Sequence, residues 1–470
     1  MRRTSSSRSP LRSTAGGTFA LLGAVLAAAL VAAACRGDGE TSKSTPVPQP
    51  TAAQLEASGL AKLPLAPDSQ RVDLATPPFS HPTEVTNPLF PISKLHSAVL
   101  NGVIDGKPFH TETTLLPYTR ALEWPAGHQV EALVSQYAAF LDGRIQEVAL
   151  DYYAQADDGS VWYFGEDVFD YNEDGLIAFT TDSWLTGQDG PPAMIMPAHP
   201  KVGQAFRTEN IPGLVFEQVT VKTVGKTFPG PSGPVDGVMV GEELHDDGMS
   251  SDKVFAPGYG EFLTRDQDGV EAMALAVPTD ALDGPPPAAL DALSKGAADA
   301  SAAARSRDWR AARTSVKAVA RGWAAYANEG DVPPRHRPAV DRALSGLSEA
   351  VTARDEDRVA TGAIDVGQAA LDLELRYRSP DEIDLARFEL WARQTVVDTA
   401  AGRLGAVSGD VASLEWTRDR IADRLDPADL SRINSELLAL REAEVDNDLA
   451  AVREAAGRVR ATAARLKLVR

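Results

Sequence analysis

Asp142–Gly175, DGRIQEVALDYYAQADDGSVWYFGEDVFDYNEDG, places Asp-Gly pairs at 142, 158 and 174, a spacing of 16 residues. Asp-Gly suits the positive-φ positions of tight hairpin turns. The intervening Arg144–Ala156 and Ser160–Asn172 are long enough for strands of about a dozen residues. Alternation agrees: Val148, Leu150 and Tyr152 share one face, and Val161, Tyr163 and Gly165 follow the same period. Long strands joined by tight turns form an antiparallel meander, and a twisted meander curls into a barrel or half-barrel.

The same punctuation extends on both sides. Asp-Gly recurs at Asp105-Gly106, Asp236-Gly237, Asp247-Gly248 and Asp268-Gly269, so an antiparallel β domain is expected over residues 81–280. Two proline-rich stretches read as interrupting loops: Asp189–Pro200, DGPPAMIMPAHP, and Phe228–Pro234, FPGPSGP. A long loop on a tight-turned sheet is where binding function concentrates.

Three consecutive prolines, Pro285–Pro287, end this region. Beyond them the chain turns Ala-, Arg- and Leu-rich with helical spacing, which predicts an all-α bundle over 288–470 and an α+β protein of two domains. Helices are expected near 288–304, 308–328, 337–353, 356–376, 380–404, 408–424, 428–442 and 446–467. Ser379-Pro380-Asp381-Glu382 reads as a capping box with proline in the first turn. Asp308, Asp355 and Ser408 read as further starts. Residues 308–376 and 410–466 share an order, with Pro338-Ala339 matched by Pro427-Ala428 and Asp355/Asp357 by Asp446/Asp448, as a duplicated helical unit would.

The N-terminus carries a different signal. An acid-free leader with Arg2, Arg3, Arg8 and Arg12 precedes the apolar Thr18–Cys35, TFALLGAVLAAALVAAAC. Ala32, Ala33, Ala34 and Cys35 resemble the lipobox of bacterial lipoproteins, although Ala32 stands where Leu is commonest. The resemblance implies a signal peptide over 1–34, removed before Cys35, with a diacylglycerol on that thiol. It places the protein at a bacterial cell envelope, extracytoplasmic and membrane-anchored. A spanning helix needs about 20 apolar residues, more than Phe19–Ala34 provides; a signal peptide with an incidental cysteine is the other alternative. Residues 35–80, rich in Ser, Thr, Pro and Ala, read as a flexible stalk. Cys35 is the one cysteine, so the mature chain has no thiol left for a disulfide or a zinc-thiolate site.

Asp151–Asp167, DYYAQADDGSVWYFGED, with Met196–Gly203, MPAHPKVG, resembles a family of uncharacterised secreted bacterial proteins over roughly Asn87–Val277. The resemblance implies a shared fold and carries no activity over to this chain.

The net charge of −20 is uneven: residues 35–284 hold 14 Lys and Arg against 36 Asp and Glu, while residues 285–470 hold 28 against 30. This balance argues against nucleic acid as a partner and is expected to form a solvated acidic surface.

Catalytic motifs are not legible. Asp170, Asn172 and Asp174 match the first half of a calcium loop, but Thr181 stands where a bidentate Glu is required, so a hairpin turn is expected. His245-Asp246-Asp247-Gly248 offers three ligands and reads as an acidic turn. The seven histidines never fall at helical metal spacing, and no cofactor is expected. Asp372, Glu374, Asp381, Asp384 and Glu389 read as a solvated helical face. Tyr153, Trp162 and Phe164, under the Ala193–His199 loop with Met194 and Met196, are the candidate apolar ligand site. The leading expectation is a lipid-anchored binding or scaffold protein without catalytic activity, whose partner is a hydrophobic small molecule or an envelope protein. A carrier of a lipid-like ligand in the curled sheet is the alternative, and an envelope hydrolase a further one.

Overall fold

The computed structural model describes residues 44–180, 182–265, 269–328 and 332–469. The signal peptide, Cys35, the start of the stalk, Thr181 and Asp268 lie outside them.

The chain opens with β1 (Thr45–Pro46), α1 (Ala52–Ala57) and β2 (Ala75–Thr76), then enters the meander. Its strands are β3 (Ser97–Ile104), β4 (Lys107–Glu123), β5 (Gln129–Leu141), β6 (Arg144–Gln155), β7 (Val161–Tyr171), β8 (Ile177–Phe179), β9 (Trp184–Leu185), β10 (Ala193–Met196), β11 (Ala205–Ile211), β12 (Val215–Gly230), β13 (Gly233–His245), β14 (Ser250–Ala256), β15 (Gly260–Arg265) and β16 (Gly269–Val277). The ladder order is β10-β7-β6-β5-β4-β3-β16-β15-β14-β13-β12-β11, with β8 and β9 also paired to β7. Positive φ at Asp105, Asp142, Gly143 and Gly159 shows the Asp-Gly pairs making the turns.

The sheet does not close into a barrel. β10 and β11 end the ladder side by side without pairing, because β10 is a four-residue strand with a register break between Met194 and Met196. The sheet nonetheless curls until its two ends share a core: Tyr153 and Tyr163 belong to the same buried cluster as Phe206, Val219, Met239 and Phe255. A strap crosses one end of the curl. Asn87 Nδ2 donates to the Gly159 carbonyl on one side, and the Gly258 amide donates to the Pro88 carbonyl on the other.

Three local expectations change. Both proline-rich interruptions contain strand: Ala193–Met196 pairs with β7, and Pro229 faces Pro234 across the β12–β13 hairpin. Facing prolines fit a pair of positions at which neither strand donates to the ladder. The stalk, where described, is packed rather than flexible: Val47 is buried in the sheet core, and Arg71 and Asp73 form a buried pair with Nη2–Oδ2 at 2.6 Å. Asp73 also accepts from the Arg207 amide of β11 at 2.9 Å. That segment covers apolar sheet surface, which its polar composition concealed.

The helices are α2 (Ala288–Arg305), α3 (Trp309–Asn328), α4 (Arg337–Ala353), α5 (Glu356–Glu374), α6 (Pro380–Ala400), α7 (Leu404–Ile421), α8 (Pro427–Val445) and α9 (Leu449–Ala463). Ser379 caps α6 through the expected capping box, and Asp355 caps α5. Ser408 is no cap: it lies inside α7, donating to the Leu404 carbonyl at 3.2 Å and to Glu444. The helices form two cores, α2–α5 and α6–α9. They cover the convex face of the sheet: Leu371, Leu375 and Ile383 pack on Val99 and Val277, Trp391 stacks on Phe140, and Ala412 meets Ile145 and Val148. Gly175 allows the β7–β8 turn to touch α7, since a Cβ there would lie 2.2 Å from the Gly409 nitrogen.

Candidate functional site

The aromatic group expected to line a ligand site is core. Trp162, Phe164 and Met196 are fully buried, Met194 nearly so, and Tyr153 is 9% exposed. Adjacent aromatics point to opposite faces of a strand, yet both faces are covered here. Phe79 packs edge-on against Phe164, while Tyr153 stacks on Tyr163 and takes Phe90 edge-on. Ala193 and Met194, expected in a loop above the rings, pair in register with Tyr163 and Trp162.

The partial calcium loop is a hairpin turn. β7 pairs with β8, and the Asn172 side-chain oxygen accepts from the amides of Asp174 and Leu176 at 2.9 and 3.0 Å. That oxygen serves the backbone, as an Asx turn requires.

A different group of side chains gathers on the concave face. Strand alternation puts Asp151 between Ser135 and Glu166 on neighbouring strands, and the Tyr163 hydroxyl donates to it at 2.7 Å. Across the curl, Glu217 stands between Glu209 and His245, and Glu243 faces Ser251. His245 lies 3.1 Å from Glu217 through Nδ1 and 3.2 Å from Ser251 Oγ through Nε2. Ser251 donates to Glu243 at 3.4 Å, and Lys253 reaches Glu243 at 3.5 Å and Glu261 at 3.4 Å. Thr111 donates to Glu271 at 2.5 Å. Two members of the group reach solvent: the Glu217 and Glu261 side chains are 25% and 36% exposed.

Burial and repulsion from neighbouring carboxyls raise Asp151, Glu243 and Glu271 far above the usual carboxylate range. Burial, then Glu217, pushes Glu243 up to about 8 against Lys253 and His245. Burial is also the main cause for Glu271, raised to about 7 with Glu261 adding to it. Asp151 rises to about 7 by burial, opposed by the Tyr163 hydroxyl and reinforced by Glu147, Glu209 and Glu261. Burial works against the charge of His245, but Glu217 and Glu243 outweigh it and hold the imidazole above its ordinary value. Donor atoms of Glu217, Glu243 and His245 lie within 4.8 Å of one another, a set able to hold a metal ion. Perturbed titration gathered on an accessible concave face is the usual signature of a functional site.

The carboxylates expected as a solvated helical face are mostly buried at the contact between sheet and helices. Asp372, Glu374 and Asp384 are under 7% exposed. Glu112 of β4 accepts from Arg387 and, at 2.5 Å, from Arg420; Arg387 reaches Asp372 at 2.7 Å and Arg420 reaches Asp384 at 3.2 Å. Arg420 Nε donates to Gln136 of β5 at 2.5 Å. His110 and the fully buried His336 approach Asp372 at 3.8 and 3.6 Å. Burial lowers both imidazoles, His336 to about 4, and raises Asp372 to about 6 against the opposing effect of His110.

Of the concave group, the sequence singled out only His245, and that as part of an acidic turn. The signal present was acidic residues at inward strand positions: Glu209, Glu217, Glu243, Lys253 and Glu271 share a face once the register is known. No protein-family model matches the chain, and no curated protein matches it.

Proposed function

We propose that this protein is a non-catalytic binding protein of a bacterial cell envelope, tethered through Cys35, that takes up a cationic ligand on the concave face of its sheet. The observation that carries the binding role is the meeting of Glu217, Glu243 and His245, whose donor atoms lie within 4.8 Å of one another; on the same face burial and other carboxyls hold Asp151, Glu243 and Glu271 between about 7 and 8. At neutral pH such groups keep protons that an entering cation displaces, so binding releases protons. The partly exposed Glu217 and Glu261 side chains leave the group within reach of a ligand from solvent. The tether rests on the lipobox-like Ala32–Cys35 and the basic leader.

Thermal unfolding of the full chain at pH 8 with calcium, manganese or spermidine tests the binding role. A ligand that binds only the folded state raises the midpoint with concentration, and the rise should vanish in Glu243→Gln. No rise with any of the three, or an equal rise in Glu243→Gln, would overturn the assignment. Fractionation of cells carrying Cys35→Ser tests the tether independently. The variant should move to the soluble fraction, and unchanged membrane retention would point to an uncleaved anchor.

A further inference from the structure

The two helical cores meet along a groove of about 470 Å³ that the concave site does not involve. α5 forms its floor, with α2 on one wall and α6 on the other. The floor is apolar because α5 presents Ala363, Ile364 and Gly367 there, with Leu390 and Val397 of α6 beside them. Gly367 holds α6 close, since a Cβ at that position would sit 3.0 Å from Leu390 Cδ1. A groove of this size lies within the range of about 300–1,000 Å³ usual for small-molecule sites.

Three helices deliver one arginine each to this groove: Arg305 from α2, Arg393 from α6 and Arg460 from α9. They are close enough to act on one another. Burial, then Arg305 and Arg393, loosens the hold of Arg460 on its proton, with Glu389 opposing. Glu389 is committed to Arg393 as an i,i+4 pair. Among the described residues, Arg305 and Arg460 have no salt-bridge partner. Of the other acids that line the groove, Glu374 is paired with Arg378 at 2.8 Å, while Asp291 occupies the first turn of α2 and Glu356 and Asp357 that of α5, where the helix dipole favours negative charge. Like charges brought together from three separate helices leave a place that an anion completes, and guanidinium groups match carboxylate and phosphate oxygens in pairs.

We propose that this groove binds an anionic amphiphile, its acyl chain on the α5–α6 floor and its head group between Arg305, Arg393 and Arg460. The inference is independent of the cation site, which lies on the opposite side of the sheet from the helices.

The test uses the full chain, purified without detergent, and three probes of one chain length below their micellar range: tetradecanoate, tetradecanol and tetradecyltrimethylammonium. Calorimetric titration should give saturable binding of tetradecanoate, about tenfold tighter than tetradecanol, and none of the ammonium compound. Arg460→Gln and Arg305→Gln should each weaken tetradecanoate about tenfold and leave tetradecanol unchanged. Arg305 is exposed, so its replacement leaves the fold intact and keeps the test valid if Arg460→Gln unfolds. Ala360→Trp, which fills the groove, should remove binding of both probes, and Glu243→Gln should change neither. Equal affinity for acid and alcohol, unchanged affinity in Arg305→Gln, or no saturable binding by the parent chain would each overturn the proposal.

Discussion

The two faces of the curled sheet both bury charge, and they do so in opposite ways. On the convex face each carboxyl of the Glu112 network has a cation at hand: Glu112 has Arg387 and Arg420, Asp384 has Arg420, and Asp372 has Arg387. After burial itself, the strongest influence on Asp384 is Arg420, which lowers it. On the concave face the strongest influence after burial on Glu243 is Glu217, and on Glu271 it is Glu261, both of which raise it. Burial, then the neighbouring Asp398, pushes up Asp410 on the convex face, and there Arg144 bridges the two at 2.7 and 3.2 Å. Compensated charge locks two layers together. Carboxyls that raise one another are costly to the fold, and such cost is retained where something must bind.

If the convex network is a lock, the largest effect comes from separating its halves. Expressing 44–284 and 285–470 apart strips Glu112 and Gln136 from Arg420 and exposes Val99, Phe140 and Val148. Neither fragment is expected to show a cooperative unfolding transition alone, and co-expression should restore one. Two separately cooperative fragments would show that the network merely decorates a boundary. Next in size is Arg420→Met, which leaves Glu112 and Asp384 buried without that partner. Removing one member of a buried pair costs about 3–5 kcal/mol, measurable by urea unfolding at pH 7. A loss below about 1 kcal/mol, the value of a surface pair, would refute the lock.

The sequence disclosed the elements well and the faces poorly. Asp-Gly turns spaced by 16 residues announced the meander, and periodicity with Ser379 and Asp355 caps announced the helices, because those signals are local. Closure is not local: whether β10 meets β11 depends on a strand of four residues inside a proline-rich stretch. Burial of a polar side chain is not local either. Asp372 and Asp384 looked solvated because the arginines that answer them lie 15 and 36 residues away. Tyr153 and Trp162 looked available because what covers them is the strap and a stretch composed like a linker. Glu217 and Glu243 become neighbours only through the β12–β13 register, so the concave site could be found only after strand pairing was known.

The smallest expected effect discriminates most sharply between the faces, because it grows as pH rises on one face and opposes the fold on the other. Glu243 holds its proton up to about pH 8 in the folded chain, against an ordinary value of 4.5. Between those two values the folded state binds more protons than the unfolded state, so stability falls as pH rises through the window. The contribution of this carboxyl is fully present below about pH 4.5 and is lost above pH 8. Glu243→Gln keeps the shape and removes the titration. Urea unfolding at pH 5 should find the variant close to the parent chain, and at pH 8.5 it should find the variant more stable, by on the order of 1 kcal/mol. Asp384→Asn on the convex face is the contrast. The variant gives up the buried pair with Arg420, so it should be destabilised at pH 8.5. Burial raises Asp384 as well, so the penalty should shrink toward acid pH as the parent carboxyl takes up its own proton. A Glu243→Gln variant that was instead less stable at pH 8.5 would mean that Lys253, 3.5 Å away, holds Glu243 as a structural pair. The concave face would then be a second lock, and the cation site would lose its physical basis.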